Sequence, residues 1–251
     1  MNKKRLLKKR VVILVIAALF LTLFGASLAL HFNLKNAKIL LTELSVKKVI
    51  YRKEPDGEKD YVLMETGDEN QMDISAYQGC ETVSLYNGLV YLNATQNKSA
   101  KDLLDELPKV PWGSDPNTGY AGDPFTADED IPDGGYPTIW PVAMTAFAKK
   151  FAPGSENISG SDLTEIESQL LSGNPVELWV TIELAEPEIT YTDYFGHLAL
   201  INTHAVLLDG YDLENSQIHV TDPIKGKAWV SLDAIRRVYE STNQFAMVLK
   251  N

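Results

Sequence analysis

The sequence predicts an α+β fold in which early helices pack on an antiparallel sheet built from later segments. Between residues 80 and 171, apolar residues recur at the spacing of amphipathic helices, whereas short apolar or alternating runs after residue 175 predict strands. Helices and strands that are segregated along the chain are typical of α+β folds with antiparallel sheets. No internal repeat or low-complexity tract points to another architecture.

Four helices are predicted in the first part of this region. The best defined begins at Cys80 and ends near Asn93, although Gly88 inside it disfavours a helix. Capping and termination signals predict three more, over residues 100–107, 138–151 and 161–173. Residues 108–136 are rich in Gly, Pro and Asp, and so long a loop in a compact domain is usually functional.

The strand patterns follow Pro175. Five strands are predicted, over Val176–Glu183, Thr203–Tyr211, Gln217–Asp222, Ala228–Val230 and Phe245–Leu249, with a short helix from Ser231 to Tyr239. The 76 residues after Pro175 therefore supply the sheet on which the earlier helices pack.

The N-terminus has the composition of a membrane-targeting segment. Residues 1–10 contain six basic residues, and residues 11–30 contain no charged residue. Twenty mostly apolar residues can cross a bilayer as one helix, and the basic cluster places residues 1–10 in the cytoplasm. We therefore predict a cytoplasmic tail (1–10), a transmembrane anchor (11–30), a stalk or linker (31–60) and an extracellular domain (61–251). The alternative is a cleaved signal peptide and a secreted domain, for which Ser27-Leu28-Ala29 offers small residues.

The charge of the exported part excludes one class of partner. Residues 31–251 hold 17 of the 23 basic residues and all 34 acidic ones, which gives a formal charge of −17. Nucleic acid binding needs clusters of Lys and Arg, so no nucleic acid partner is expected. The expected partners are a membrane, through the N-terminal helix, and the substrate; no cofactor is expected.

Cys80 is the single cysteine of the chain and the leading candidate for a catalytic residue. Exported domains usually carry cysteines in disulfide pairs, so a lone cysteine is an inert buried residue, an intermolecular bridge or a reactive thiol. It stands at a predicted helix start, where the helix dipole favours a thiolate. His204 and then Asp222 follow, which is the chain order of papain-like enzymes.

These residue types suit acyl transfer. An imidazole activates the thiol and later protonates the leaving group, and a carboxylate orients the imidazole. The backbone N–H of Cys80 and the side-chain amide of Gln71 or Gln78 could bind the oxyanion. A zinc site made from Cys80, His204, His219 and Asp222 is an alternative, although their spacing matches no compact ligand motif.

Taken together, four segments resemble the bacterial cysteine peptidases related to the double-glycine leader peptidases of bacteriocin exporters, especially their stand-alone, often secreted branch. They are Gly79-Cys80-Glu81 with Ser84-Leu85, the segment Leu171–Val176, the segment His204–Tyr211, and Val220–Pro223 with Gly226. The resemblance spans residues 70–249. It implies a papain-like fold with Cys80 as nucleophile, His204 as base, Asp222 as the residue that orients it, and Gln71 as the oxyanion-hole amide.

The function predicted from the residues and the resemblance is a membrane-anchored extracellular cysteine peptidase or amidase. It would act on a peptide or peptidoglycan-type substrate through a thioester acyl-enzyme. A thiol acyltransferase or peptidoglycan amidase on the same scaffold is a second enzymatic reading. A catalytically inactive domain that binds a peptide or a cell-wall fragment in the same groove is the alternative from a different class.

Overall fold

An eight-stranded antiparallel sheet is the centre of the computed structural model, which describes residues 49–53 and 59–251. Its strands are β1 (Val49–Lys53), β2 (Lys59–Met64), β5 (Glu156–Asn157), β6 (Val176–Thr181), β9 (Thr203–Asp212), β10 (Gln217–Asp222), β11 (Gly226–Ser231) and β12 (Ala246–Val248). The long strand β9 pairs with β2, β6 and β10, so it joins the two halves of the sheet.

Four shorter strands lie outside this sheet. β3 (Lys109–Val110) pairs in parallel with β4 (Tyr120–Ala121), and β7 (Ile189–Tyr194) forms a hairpin with β8 (His197–Leu200). Short 3₁₀ turns occupy Asp128–Asp130 and Ile182–Leu184.

The helices are α1 (Cys80–Tyr91), α2 (Ala100–Glu106), α3 (Pro141–Ala148), α4 (Leu163–Leu171) and α5 (Leu232–Glu240). Helix α1 packs directly on β9, and its glycine allows the close approach. A Cβ atom built on Gly88 would lie 2.3 Å from a Leu249 methyl and 3.4 Å from a Leu207 methyl. The helical cost of this glycine is therefore offset by packing that a side chain would prevent.

The predicted elements from α1 to β12 are present, most within a few residues of their predicted ends, and the α+β class is confirmed. The largest difference is α3, which covers Pro141–Ala148 and not residues 138–151. Pro141 stands at the first helical position, a site that proline favours, and it restricts the preceding residue to extended backbone. Trp140 is accordingly extended, so Thr138 and Ile139 lie outside the helix, and they make contacts with α1 that are described below.

Two hairpins add to the strands predicted after Pro175. β1 and β2 pair with each other and β2 pairs with β9, so Val49–Lys53, within the segment expected as a stalk or linker (31–60), forms a strand. The β7–β8 hairpin escaped detection because the side chains of Ile189–Asp193 are all exposed. Without one buried face there is no alternation of apolar and polar residues to signal a strand.

The predicted tail (1–10), membrane anchor (11–30) and most of the linker lie outside the described residues. Among the residues described, no helix combines the length and apolar character needed to cross a bilayer.

Candidate active site

Cys80 is the first residue of α1, as predicted, and two features fix its place. A Cβ on Gly79 would lie 2.8 Å from the Ala76 Cβ and 3.3 Å from a Leu104 methyl, so a glycine is needed here for close packing. Its φ of −97° shows that left-handed backbone, the usual reason for a glycine in a sharp turn, is not required. One turn later, the buried Ser84 hydroxyl donates to the Ala205 carbonyl at 3.1 Å, which ties α1 to β9 beside His204.

His204 and Asp222 meet because they lie on neighbouring antiparallel strands. His204 stands near the start of β9, is only 3% exposed, and its Nε2 lies 3.0 Å from Oδ1 of Asp222, the last residue of β10. The same carboxylate oxygen accepts the backbone N–H groups of Ile224 at 2.7 Å and Lys225 at 3.1 Å. Asp222 therefore holds the ring through Nε2, and Nδ1 is the ring nitrogen on the other side.

Partial burial tends to raise the pKa of Asp222, but the hydrogen bonds from His204, Ile224 and Lys225 outweigh it. The net pKa of this carboxyl is lowered, so it is ionised at neutral pH. An ionised carboxylate beside Nε2 can accept a hydrogen bond from the Nε2–H group and stabilise an imidazolium without taking its proton.

Cys80 and His204 line one cleft of about 880 Å³. Its lining includes residues from the 127–137 segment and residues between Ile182 and His204, and Met72 and Tyr77 contribute exposed apolar side chains. Asp128 and Glu129 are exposed carboxylates at its edge, and no Lys or Arg from the described part of the chain lines it. The cleft is therefore partly apolar and negatively charged.

The two glutamines that were candidates for the oxyanion hole also line this cleft, but in different states. Gln71 is 1% exposed, its backbone N–H donates to the Pro223 carbonyl at 2.8 Å, and its Nε2 donates one proton to Tyr77 O at 2.9 Å. Its second amide proton is not used by that bond. The Gln78 side chain instead points to Asp128, with Nε2 2.6 Å from the carboxylate. The geometry therefore favours Gln71 over Gln78.

The thiol of Cys80 is in a different state from the one expected at a helix N-terminus. Its Sγ donates to Oε2 of Glu81 at 3.2 Å. Burial, the charge of Glu81 and this hydrogen bond raise the pKa of the thiol well above its usual range, against a smaller opposing effect of the Ala205 backbone N–H. A raised pKa favours the protonated thiol, whereas the helix N-terminus alone predicts a thiolate.

Two buried glutamates beside the thiol were missed from the sequence. Glu81 is 2% exposed, and its Oε1 accepts the Thr138 hydroxyl at 2.6 Å and the Ile139 N–H at 3.2 Å. Glu177, in the middle of β6, is fully buried. A charged residue next to the nucleophile, and another inside the apolar run Val-Glu-Leu-Trp-Val, were the available signals.

The zinc alternative is not supported. His219 belongs to a separate buried network, in which its Nδ1 lies 2.6 Å from Asp209, and the Thr221 hydroxyl donates to the same carboxylate at 2.7 Å. In residues 49–53 and 59–251, no group of three or more His, Cys, Asp or Glu side chains is placed to hold a metal ion.

Comparison with known proteins assigns the family. The model of the Peptidase_C39 like family matches residues 67–247, which is more than half of the chain and includes every residue of the cleft described above. The chain belongs to the Peptidase_C39 like family. By family it is a cysteine peptidase, as the resemblance of the four segments implied.

One solved structure supports the fold of this Peptidase_C39-like protein, and a second is reported for comparison. A protein from Bacillus anthracis assigned to the C39-like peptidases is 22% identical with a TM-score of 0.62, covering 74% of this chain and 94% of that one. This likeness confirms the predicted papain-like fold. A double glycine motif protease from an AMS/PCAT transporter, solved with its leader peptide, is 13% identical over 82% of this chain and 94% of that one, with a TM-score of 0.37. No curated protein matches the chain significantly.

Proposed function

We propose that the protein is a membrane-anchored extracellular cysteine peptidase or amidase in which Cys80 is the nucleophile, His204 the base and Asp222 the residue that orients the base. The observation that carries this proposal is the cleft that Cys80, at the start of α1, and His204 both line, with Asp222 3.0 Å from Nε2 of His204. Nucleophile, base and orienting group are the three parts that acyl transfer by a thiol requires.

The reaction would proceed in two acyl transfers. Sγ of Cys80 attacks the amide carbonyl carbon, its proton passes to Nδ1 of His204, and the carbonyl π electrons move to the oxygen. The backbone N–H of Cys80 and the second amide proton of Gln71 bind this oxyanion. The imidazolium, held by Asp222 through Nε2, then protonates the leaving amine as the C–N bond breaks, and water hydrolyses the thioester by the reverse proton path.

The substrate would be a peptide or a peptidoglycan-type peptide. Membership in a peptidase family and a cleft about 880 Å³ in volume, open at a wall that carries Tyr77 and Tyr191, both support an extended chain as ligand. The exposed carboxylates of Asp128 and Glu129 favour peptides that carry positive charge near the scissile bond.

The proposed location rests on the sequence of residues 1–30 alone. The six basic residues and the uncharged span of residues 11–30 favour an anchor with the domain outside the cell. Protease added to intact cells should remove the domain, and full protection of the domain would contradict this orientation. Release of the domain with a new N-terminus near Leu30 or His31 would support the secreted alternative.

Activity is tested by incubating the full chain with a peptide library and a cell-wall digest, followed by mass spectrometry of the products. The wild type should cleave, and Cys80→Ala should not. Glu240→Gln, which changes an exposed residue at the end of α5, is the matched control and should cleave like the wild type. Binding of peptides without cleavage by the wild type would instead support the catalytically inactive alternative.

A further inference from the structure

The residue after the nucleophile is a buried carboxylate with three hydrogen-bond donors. Oε2 of Glu81 accepts from the Cys80 thiol at 3.2 Å, and Oε1 accepts from Thr138 Oγ1 at 2.6 Å and from the Ile139 N–H at 3.2 Å. Thr138 and Ile139 continue directly from Tyr136 and Pro137, which line the cleft. Glu81 therefore connects the reacting sulfur to one wall of the proposed substrate site.

A second carboxylate, that of Glu177, lies in the same buried region but, unlike Glu81, accepts no hydrogen bond from the described residues. Neither of its carboxylate oxygens has a hydrogen-bond partner within the part of the chain that the structure describes. Burial, and then the charge of Glu81, raise the pKa of Glu177 well above its usual range. Burial also raises the pKa of Glu81, but the hydrogen bonds from Thr138, Cys80 and Ile139 oppose this rise, whereas Glu177 has no such donors. Two neighbouring buried carboxylates do not both ionise readily, so Glu81, with its three donors, is the member of the pair that ionises first.

The other titratable groups around the thiol do not supply a compensating positive charge. Tyr120 donates its hydroxyl to the Gln78 carbonyl, Tyr136 accepts from the Leu200 N–H, and the pKa of each phenol is raised chiefly by burial. His204 on β9 is the remaining group, and it is hydrogen-bonded to Asp222. Among the described residues, no Lys or Arg forms an ion pair with Glu81 or Glu177.

We propose that Glu81 is a positioning residue that keeps the Cys80 thiol protonated and oriented toward the Thr138–Ile139 segment until substrate is attacked. This inference rests on the proposed function, because it assigns Glu81 a role in the reaction of Cys80. The resting site then contains a neutral thiol and not a thiolate–imidazolium pair. As the bond from Sγ to the carbonyl carbon forms, the S–H bond breaks, its proton goes to His204, and the carbonyl π electrons go to the oxygen.

The consequence is that an ionised Glu81 suppresses the thiolate. Removing the charge of the Glu81 side chain without changing its shape should lower the pKa of the Cys80 thiol. In Glu81→Gln, the amide oxygen can still accept from Thr138 and Ile139, while the NH₂ group replaces Oε2 and donates to a thiolate. A carboxylate that favours the thiol is thereby replaced by a donor that favours the thiolate.

The experiment is the pH dependence of carbamidomethylation of the full chain by iodoacetamide, which reports on Cys80 alone because the chain has one cysteine. Glu81→Gln should react at least about tenfold faster than the wild type below the pKa of the thiol, which corresponds to a pKa about one unit lower. Glu177→Gln replaces a group that is already neutral, and should react within about threefold of the wild type. A Glu81→Gln rate equal to or below that of the wild type, or equal acceleration in both variants, would overturn the role of Glu81.

A second measurement uses the wild type and does not depend on either variant folding. The ultraviolet absorbance of the thiolate, with Cys80→Ala as the blank, should appear only above the ordinary titration range of a cysteine, about pH 8.5. A thiolate already present near pH 6 would overturn the inference. Neither measurement requires a substrate, so a protein that shows the predicted thiol chemistry but cleaves nothing would refute the proposed peptidase activity and leave the role of Glu81 intact.

Discussion

Two substitutions of Asp222 distinguish its two contributions, the orientation of the His204 ring and the negative charge beside it. Oδ1 accepts from His204 Nε2 at 3.0 Å and from the N–H groups of Ile224 and Lys225. In Asp222→Asn, these two backbone donors hold the amide oxygen, and not the NH₂ group, toward the imidazole. The variant therefore loses the negative charge but keeps the acceptor that selects the Nε2–H tautomer.

The magnitude follows from the interaction that each variant removes. Asp222→Ala removes a hydrogen bond to a group that becomes charged in the reaction, a contribution of about 1.5–3 kcal/mol. At about 1.4 kcal/mol for each factor of ten, kcat/KM should fall by about 10- to 150-fold. Asp222→Asn should lose less than about tenfold, because an amide oxygen serves as the orienting group in other papain-like sites. Both losses should be smaller than that of Cys80→Ala, which removes the nucleophile.

The assay is the measurement of kcat/KM for the three variants with one peptide that the wild type cleaves, below the unfolding temperature of each variant. The value of kcat/KM should decrease in the order wild type, Asp222→Asn, Asp222→Ala and Cys80→Ala. An Asp222→Asn variant as damaged as Asp222→Ala would show that charge, and not orientation, is the contribution of Asp222. Full activity of Asp222→Ala would remove this residue from the mechanism.

Three other substitutions test the surroundings of the site. Ser84→Ala leaves the buried Ala205 carbonyl without its side-chain donor and should lower the free energy of unfolding in urea by about 1–2 kcal/mol. The control Ser168→Ala, on the exposed face of α4, should not lower it, and equal effects of the two variants would contradict a stabilising role of the Ser84–Ala205 hydrogen bond. The raised pKa of Glu177 means that the folded state retains a proton which the unfolded chain releases above about pH 4.5, so wild-type stability should fall from there toward neutral pH. The stability of Glu177→Gln should not fall in this way. If the stabilities of the variant and the wild type changed in parallel with pH, the raised pKa of Glu177 would be refuted. Glu129→Lys should lower kcat/KM several-fold for cationic peptides relative to neutral ones, and an unchanged ratio would refute a charge preference of the cleft.

Local patterns were sufficient to predict the parts of the site that lie on regular elements. Cys80 was expected at a helix start, and His204 and Asp222 on two strands, and the structure places them there. Adjacent antiparallel strands bring the histidine and the aspartate together without any further information. Three of the four segments that resembled the C39-related peptidases lie in or directly beside these elements, and the fourth, Leu171–Val176, connects α4 to β6.

The state of the thiol could not be predicted, because it depends on tertiary packing. The sequence suggests a thiolate from the helix N-terminus, but desolvation and Glu81 have the opposite and larger effect on the pKa. The approach of Glu177 to this region depends on how β6 packs under α1, which no local pattern encodes. The exposed β7–β8 hairpin, which contributes Tyr191 to the cleft wall, likewise lacks a buried face that would mark it as a hairpin.

The most direct measurement of the central claim is the mass of the intact chain after brief mixing with a cleavable peptide and quenching in acid. If Cys80 attacks the amide carbon, the chain should gain the mass of the N-terminal product, joined to Cys80 by a thioester that neutral hydroxylamine removes. Cys80→Ala should show neither the adduct nor cleavage. Cleavage by Cys80→Ala at the wild-type rate would contradict the account.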